Sequence, residues 1–244
     1  MIQKIDEFID LLSNFDTGPF SSNSKDTGKN GFAGVFNQYS SELPENSVRR
    51  ENLRLYLLQI MSRKPDVLII GEAPGYKGCR LTGVPFTSER ILVKNENIFG
   101  FSKGFRKTDE NGIPVSEQTA TIVWDILAEL MGIRCGKGKN YNTPKLPLFW
   151  NAFPFHPYKR GNIRSNRKPN REELKTGELF LRRILEFSKF RKIIALGNAA
   201  SVSLTSMHIP HTRIRHPSHG GKKEFEEGLK KILNYPKAIS LKNI

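Results

Sequence analysis

Val67-Leu68-Ile69-Ile70-Gly71-Glu72-Ala73-Pro74-Gly75 is an apolar run that stops at a glycine, presents a carboxylate and turns through proline and glycine. Apolar at successive rather than alternate positions, such a run reads as a strand buried on both faces. Three more runs follow the same plan: Leu148-Phe149-Trp150 before Asn151, Ile193 to Leu196 before Gly197-Asn198, and a weaker one, Thr212 to Arg215, before His216-Pro217-Ser218. Helical spacing fills the intervals. Ile122, Ile126, Leu127 and Leu130 share one side of 119–131, with Gly132 as a stop. Pro169-Asn170 with Glu173 three residues on has the spacing of a capping box and opens a helix over 170–187. Phe225, Leu229, Ile232 and Leu233 mark a last helix over 223–233. Strand and helix alternate, which predicts an α/β fold with a parallel sheet in one domain.

Upstream, Ile2, Ile5, Phe8, Ile9 and Leu12 stand at helical spacing, and a second helix is expected over 47–63 until Pro65 ends it. The polar stretch 14–46 between them, broken at Gly18-Pro19 and Gly28 to Gly31, reads as irregular surface structure. Residues 1–65 are thus expected to pack as an extension on a single domain spanning 1–244. At 37% hydrophobic residues, the 244-residue composition is that of a globular protein. No run approaches the length of a membrane span, and the acidic residues within the first turns do not suit a leader. A soluble, cytoplasmic protein is expected. Two cysteines, Cys79 and Cys135, cannot supply a four-thiolate zinc site or an all-cysteine iron–sulfur cluster.

Ligands of open parallel sheets bind beyond the carboxyl ends of the strands. Glu72, Asn151, Asn198 and His216 all lie just past such ends, so they are expected to converge on one rim. Each also has a plainer reading. Glu72 could be a solvated turn residue or a helix cap, and Asn151 could bond its own loop. His216 could be structural. Against the last, Arg213, Arg215, Lys222 and Lys223 flank it with no acid between 212 and 223. An amide that donates and accepts at once suits a base edge.

The chain carries 39 Lys and Arg against 24 Asp and Glu, a formal charge of +15. Residues 159–192 hold 12 of the bases and 4 Glu, a net of +8. A basic segment beside the rim is what tracking a phosphate backbone requires. A solvated helix face would account for the helical part of that segment, though not for Lys159 to Lys168.

Taken in order, these residues resemble the uracil-DNA glycosylase superfamily. The likeness rests on Gly71-Glu72-Ala73-Pro74-Gly75, Pro85-Phe86, Asn151, Asn166-Arg167-Lys168-Pro169 with Glu172-Glu173-Leu174, Ala195 to Ala200, and His216-Pro217-Ser218. It spans roughly residues 66–220 and comes nearest to a bacterial and archaeal branch with a GEAPG loop and an iron–sulfur cluster. Gly177 stands where that branch has a ligand cysteine, and no cysteine pair occurs near the N-terminus. No cluster, metal or other cofactor is therefore expected. Tyr76-Lys77-Gly78-Cys79 also replaces the acid that often follows the GEAPG loop.

The resemblance implies a three-layer α/β/α sandwich around a four-stranded parallel sheet, acting as a monomer on uracil-containing DNA, single- or double-stranded. By the same resemblance, Phe86 stacks on an extruded base and Asn151 bonds its pairing edge, with Ala73, Gly75 and Tyr76 beside it. His216 stabilises charge developing on uracil O2, and Glu72 orients water or the cationic sugar. Pro74, Gly197, Asn198, Ser218, Arg167 and Lys168 grip phosphates. The bottom-up chemistry agrees, because a base inside a duplex must be swung out before its bond to the sugar can be cut. Two alternatives remain at this stage: another deaminated or damaged base such as hypoxanthine or xanthine, and a catalytically silent protein that binds DNA or uracil.

Overall fold

Val67–Gly71 forms a strand because β-branched and leucine side chains suit a pleat covered on both sides, and all five residues are buried. Its neighbours in space are Leu148–Asn151 and Lys192–Leu196, both parallel to it. The computed structural model describes residues 1–17, 34–94, 104–109, 112–131, 145–218 and 220–233. In chain order the elements are α1 (Ile2–Ser13), β1 (Val35–Phe36), α2 (Asn46–Ser62), β2 (Val67–Gly71), α3 (Cys79–Thr82), α4 (Glu89–Lys94) and α5 (Gln118–Leu130). They continue as β3 (Leu148–Asn151), β4 (His156–Pro157), α6 (Arg171–Leu185), β5 (Lys192–Leu196), α7 (Gly197–Ser206), β6 (Thr212–Ile214) and α8 (Lys222–Leu233).

The main sheet is four-stranded and parallel, in the order β3-β2-β5-β6, with helices flanking it. Strand order reverses at β2, so the crevice between β2 and β5 is the topological switch point. Leu68, Ile69 and Ile70 point alternately to opposite faces and none is exposed, so both faces are covered. The edge strand β3 is protected by α2: the Tyr56 hydroxyl accepts from the Phe149 amide at 2.8 Å. The α/β expectation and the four strands are observed where the apolar runs placed them.

The capping box at the start of α6 is complete, Asn170 receiving the Glu173 amide and Glu173 the Asn170 amide. Near the N-terminus, α1 buries Ile5, Phe8, Ile9 and Leu12, and the Phe8 ring meets Trp150 edge-on at 5.2 Å. Reading all of 14–46 as surface structure needs correction. Val35–Phe36 pairs with β4, and Asn37, Gln38 and Asn46 are buried with their amides on main-chain carbonyls. Polar side chains whose amide groups donate to backbone carbonyls build interior as well as surface. Residues 18–33, with Gly28 to Gly31, and the expected stop at Gly132 lie outside the described residues.

Gly177 sits in α6 directly over the main chain after β3. A Cβ there would fall well inside contact distance of the Ala152 carbonyl oxygen and 2.9 Å from its carbon. The pressing atoms are backbone, so the helix itself would have to move. Gly177→Ala is therefore expected to lower stability by about 1–3 kcal/mol, despite alanine's better helix propensity. A urea unfolding midpoint equal to or above wild type would contradict this close approach.

Candidate active site

The strand register brings the rim together. Gly71 lies opposite Asn151, and Leu196 opposite Ile214, so the loops after all four strands start at one level. Between them is a cavity of about 510 Å³ whose walls include Glu72, Phe86, Asn151, Asn198 and His216. The expected convergence is observed. A hollow of about 580 Å³ also lies between α1 and the end of α6, with Phe8 and Phe187 in its wall and none of these rim residues.

Gly71 is the pivot. A Cβ at this position would stand 2.7 Å from Phe86 Cε2 and 3.0 Å from Asn151 Oδ1, so ring and amide meet over the bare end of β2. Phe86 is half-buried with a positive φ of 54°, a conformation bulky residues rarely adopt. The loop is fastened around it. The Trp124 indole donates to the Phe86 carbonyl at 2.8 Å, and the Thr82 and Thr87 hydroxyls bond each other at 2.9 Å. The Phe86 ring also packs on Phe149 with centroids 5.0 Å apart.

Asn151 is only 5% exposed, and among the described residues its carboxamide has no protein hydrogen-bond partner. A buried amide in that state fits a ligand. His216 is held differently. Its Nδ1 faces both the Ser218 hydroxyl at 2.7 Å and the Ser218 amide at 3.2 Å. A backbone amide can only donate, so Nδ1 accepts and the ring proton resides on Nε2.

Glu72 is half-buried, its carbonyl pinned by the Phe153 amide at 3.0 Å. Burial pushes its carboxyl above the usual carboxylate range, and the Lys168 charge pulls it partly back. Lys168 is exposed and lines the same cavity. No side chain caps the start of α7 at Gly197-Asn198, so its first amides remain available to an anion. Asn198 accepts from Arg213 at 3.1 Å.

Three expected roles meet a different geometry. All five Arg167 N–H groups go to protein acceptors: both oxygens of Glu173 at 2.6 and 2.7 Å, and the carbonyls of Gly34, Tyr158 and Lys168. Arg167 fastens the loop instead of reaching outward. Pro74 has no N–H, and its carbonyl is taken by His156 Nδ1 at 2.7 Å. Tyr76 does not line the base-sized cavity; it lines two hollows beside it. Ala73, Gly75, Gly197 and Ser218 do line it, and so do Pro74 and Arg167.

Sequence reading missed several members. His156 is fully buried, with Nε2 3.0 Å from the Ile163 carbonyl, so it ties the Gly71–Gly75 turn to the basic loop. Burial lowers its pKa, against the pull of the two carbonyls. Asn166 Oδ1 receives the Tyr76 amide at 2.9 Å, and Glu117 caps α5 by accepting from Thr119 and Ala120 while also lining the cavity. Their motifs contain such residues, but only the fold shows what each side chain reaches.

Among the described residues the donors do not suit a thiolate-bound cluster. Gly177 leaves no room for a side chain, and burial pushes the Cys79 thiol, enclosed by Gln38 and Tyr39, up to about 12. Among the described residues no group of three or more His, Cys, Asp or Glu could hold a metal, and no helix is long and apolar enough to cross a membrane.

Comparison with known proteins adds the following. A family model described as the uracil DNA glycosylase superfamily matches residues 59–234. Among solved structures, the chain is similar to wild-type SMUG2 of Pedobacter heparinus, with a TM-score of 0.61 and 14% identity over 96% of this chain and 99% of that one. At that identity the likeness concerns the fold. No match is found among curated protein sequences.

The electrostatics of Glu72 can be tested directly. Lys168→Met removes a positive charge that favours the carboxylate, so the Glu72 titration is expected to move to higher pH. Carboxyl ¹³C chemical shifts followed against pH will show it; a shift downward, or none, would separate the two charges.

Proposed function

Because the chain belongs to the uracil DNA glycosylase superfamily, we propose that it hydrolyses the bond between uracil and deoxyribose in DNA. The superfamily is one of DNA glycosylases, hydrolases that serve DNA repair; uracil as the base is our reading. One observation carries it: an aromatic ring, a buried unpartnered amide, an imidazole protonated on Nε2 and a carboxylate share one hollow of about 510 Å³.

Each group has work suited to its chemistry. Phe86 offers the extruded base a stacking surface, worth about 1–3 kcal/mol. The Asn151 amide, able to donate and accept, pairs with the edge that carries uracil's N3–H and a carbonyl. As the C1′–N1 bond breaks, its electrons pass to the base and the sugar becomes cationic. His216 Nε2–H donates to the oxygen where negative charge collects, while the Glu72 carboxylate faces the sugar and the incoming water. Water supplies the new C1′ oxygen, and the proton it releases balances the one the departing base takes up. The open amides of α7 and the Lys168 ammonium lie where neighbouring phosphates pass.

A second reading keeps the reaction and changes the base. Beyond its chain neighbours, the nearest atom to a Cβ on Gly75 is Asn166 Nδ2 at 3.9 Å, and Tyr76 stands outside the cavity, so neither blocks a larger base. A panel of oligonucleotides carrying uracil, hypoxanthine or xanthine separates the two readings.

On a uracil oligonucleotide, His216→Ala is expected to slow single-turnover excision by roughly 10²–10³-fold. Asn151→Ala is expected to slow it by about 10–100-fold, and circular dichroism should report an intact fold for both. Wild-type excision should fall steeply with added salt. Failure of the wild type to release uracil from either single- or double-stranded substrate would overturn the proposal.

A further inference from the structure

Tyr76 and Lys77 follow the Gly71–Gly75 turn, and the main chain of Tyr76 is fastened at both ends. Its amide donates to Asn166 Oδ1 at 2.9 Å, and its carbonyl accepts from Arg80 Nε at 3.1 Å. The side chain is not fastened. It is half-exposed, and among the described residues its hydroxyl has no hydrogen bond. Lys77 Nζ stands 5.6 Å from the ring centroid. A half-exposed ring on a fastened main chain, with a cation over it, has the makings of a stacking platform.

The hollows around it continue the rim cavity. A second, of about 480 Å³, shares Gly75, Glu117 and Asn166 with the first and has Tyr76 and Lys77 in its wall. A third, of about 310 Å³, lies on the other side of Tyr76 and Lys77 and adds Arg80 and Arg164. Lys77 and Arg164 are exposed and enter no ion pair among the described residues. The carboxylates along this path face the main chain. Glu117 accepts from Thr119 and Ala120, Glu89 from Val115, and Asp109 from Gly112. The groove therefore offers an aromatic ring and exposed cations, with its acids already partnered.

We propose that this groove holds the nucleotide next to the extruded one on the same DNA strand. Its base stacks on Tyr76 and its phosphate passes Lys77 and Arg164. The inference rests on the reading of the rim cavity as the seat of the flipped base. Stacking is indifferent to base identity, so the groove confers strand grip without sequence preference.

The test measures binding, so that it stands apart from excision. Fluorescence anisotropy compares single strands carrying a tetrahydrofuran abasic residue with zero, one or two nucleotides on its 5′ or 3′ side. Wild type is expected to gain affinity from the first nucleotide on one side. Tyr76→Ala should lose roughly 5- to 100-fold of that gain, whereas Tyr76→Phe should keep it, since the hydroxyl has no protein partner. Lys77→Ala should lower the salt slope of binding by about one. A flank gain that survives Tyr76→Ala, or a wild type that gains from neither side, overturns the subsite. Absence of uracil release by the wild type would instead count against the proposed reaction, leaving the binding result to stand.

Discussion

The site depends on a side chain that is missing. Strand β2 ends at Gly71, and the space a Cβ would take there is filled by the Phe86 ring from one loop and the Asn151 amide from the next strand. A larger residue would part the two groups that read a base. The parallel register then does the rest. With Gly71 opposite Asn151 and Ile70 opposite Ala195, the loops carrying Glu72, Gly197 and His216 all leave the sheet at one height. Slippage by a single residue would turn every one of these side chains to the opposite face. That slippage is opposed by the burial of all five residues of β2.

Holding the groups in place falls to a second set of residues. Phe86 keeps a positive φ, a strain of order 1–3 kcal/mol, and the Trp124 indole and the paired hydroxyls of Thr82 and Thr87 offset it. His156 and Asn166 join the Gly71–Gly75 turn to the basic loop through its carbonyl at Pro74 and its amide at Tyr76. The bidentate Arg167–Glu173 pair, its carboxylate 1% exposed, joins that same loop to the start of α6. Breaking such a buried pair by removing one partner typically costs about 3–5 kcal/mol. Catalytic geometry of this kind loses rate when it loosens by even an ångström, so these fastenings belong to the chemistry as much as the rim residues do.

The elements that were legible in the sequence are those whose signal is local. Four apolar runs ending in Gly, Pro or a polar residue marked the strands, Asn170 and Glu173 marked the start of α6, and the rim followed from topology. What was hidden depends on direction and partner. Composition made 34–46 look like surface, yet Asn37, Gln38 and Asn46 go inside because carbonyls of distant segments await their amides. The α7 helix has no clear apolar stripe, since it packs through small residues such as Ala200 and Ser203. Tyr76 follows directly on a turn that does line the cavity, and only the path of the main chain, held by Asn166 and Arg80, carries its ring to the next hollow.

Charge shows the same division between local pattern and direction. The basic segment read as one phosphate-tracking stripe separates into two populations. Arg167, Lys175, Arg183 and Arg191 spend their charge on Glu173, Glu178, Glu186 and Asp66. Lys168 stays exposed at the cavity, within electrostatic reach of Glu72. Arg167 and Lys168 are chain neighbours on the wall of one cavity with different fates, the first paired with Glu173 and the second exposed. The arginine's rigid fork suits a buried carboxylate, while a flexible ammonium suits a phosphate that arrives and leaves. One short loop therefore both anchors the site and presents it with positive charge, and because these are adjacent residues on one main chain, the anchor sets where that charge stands.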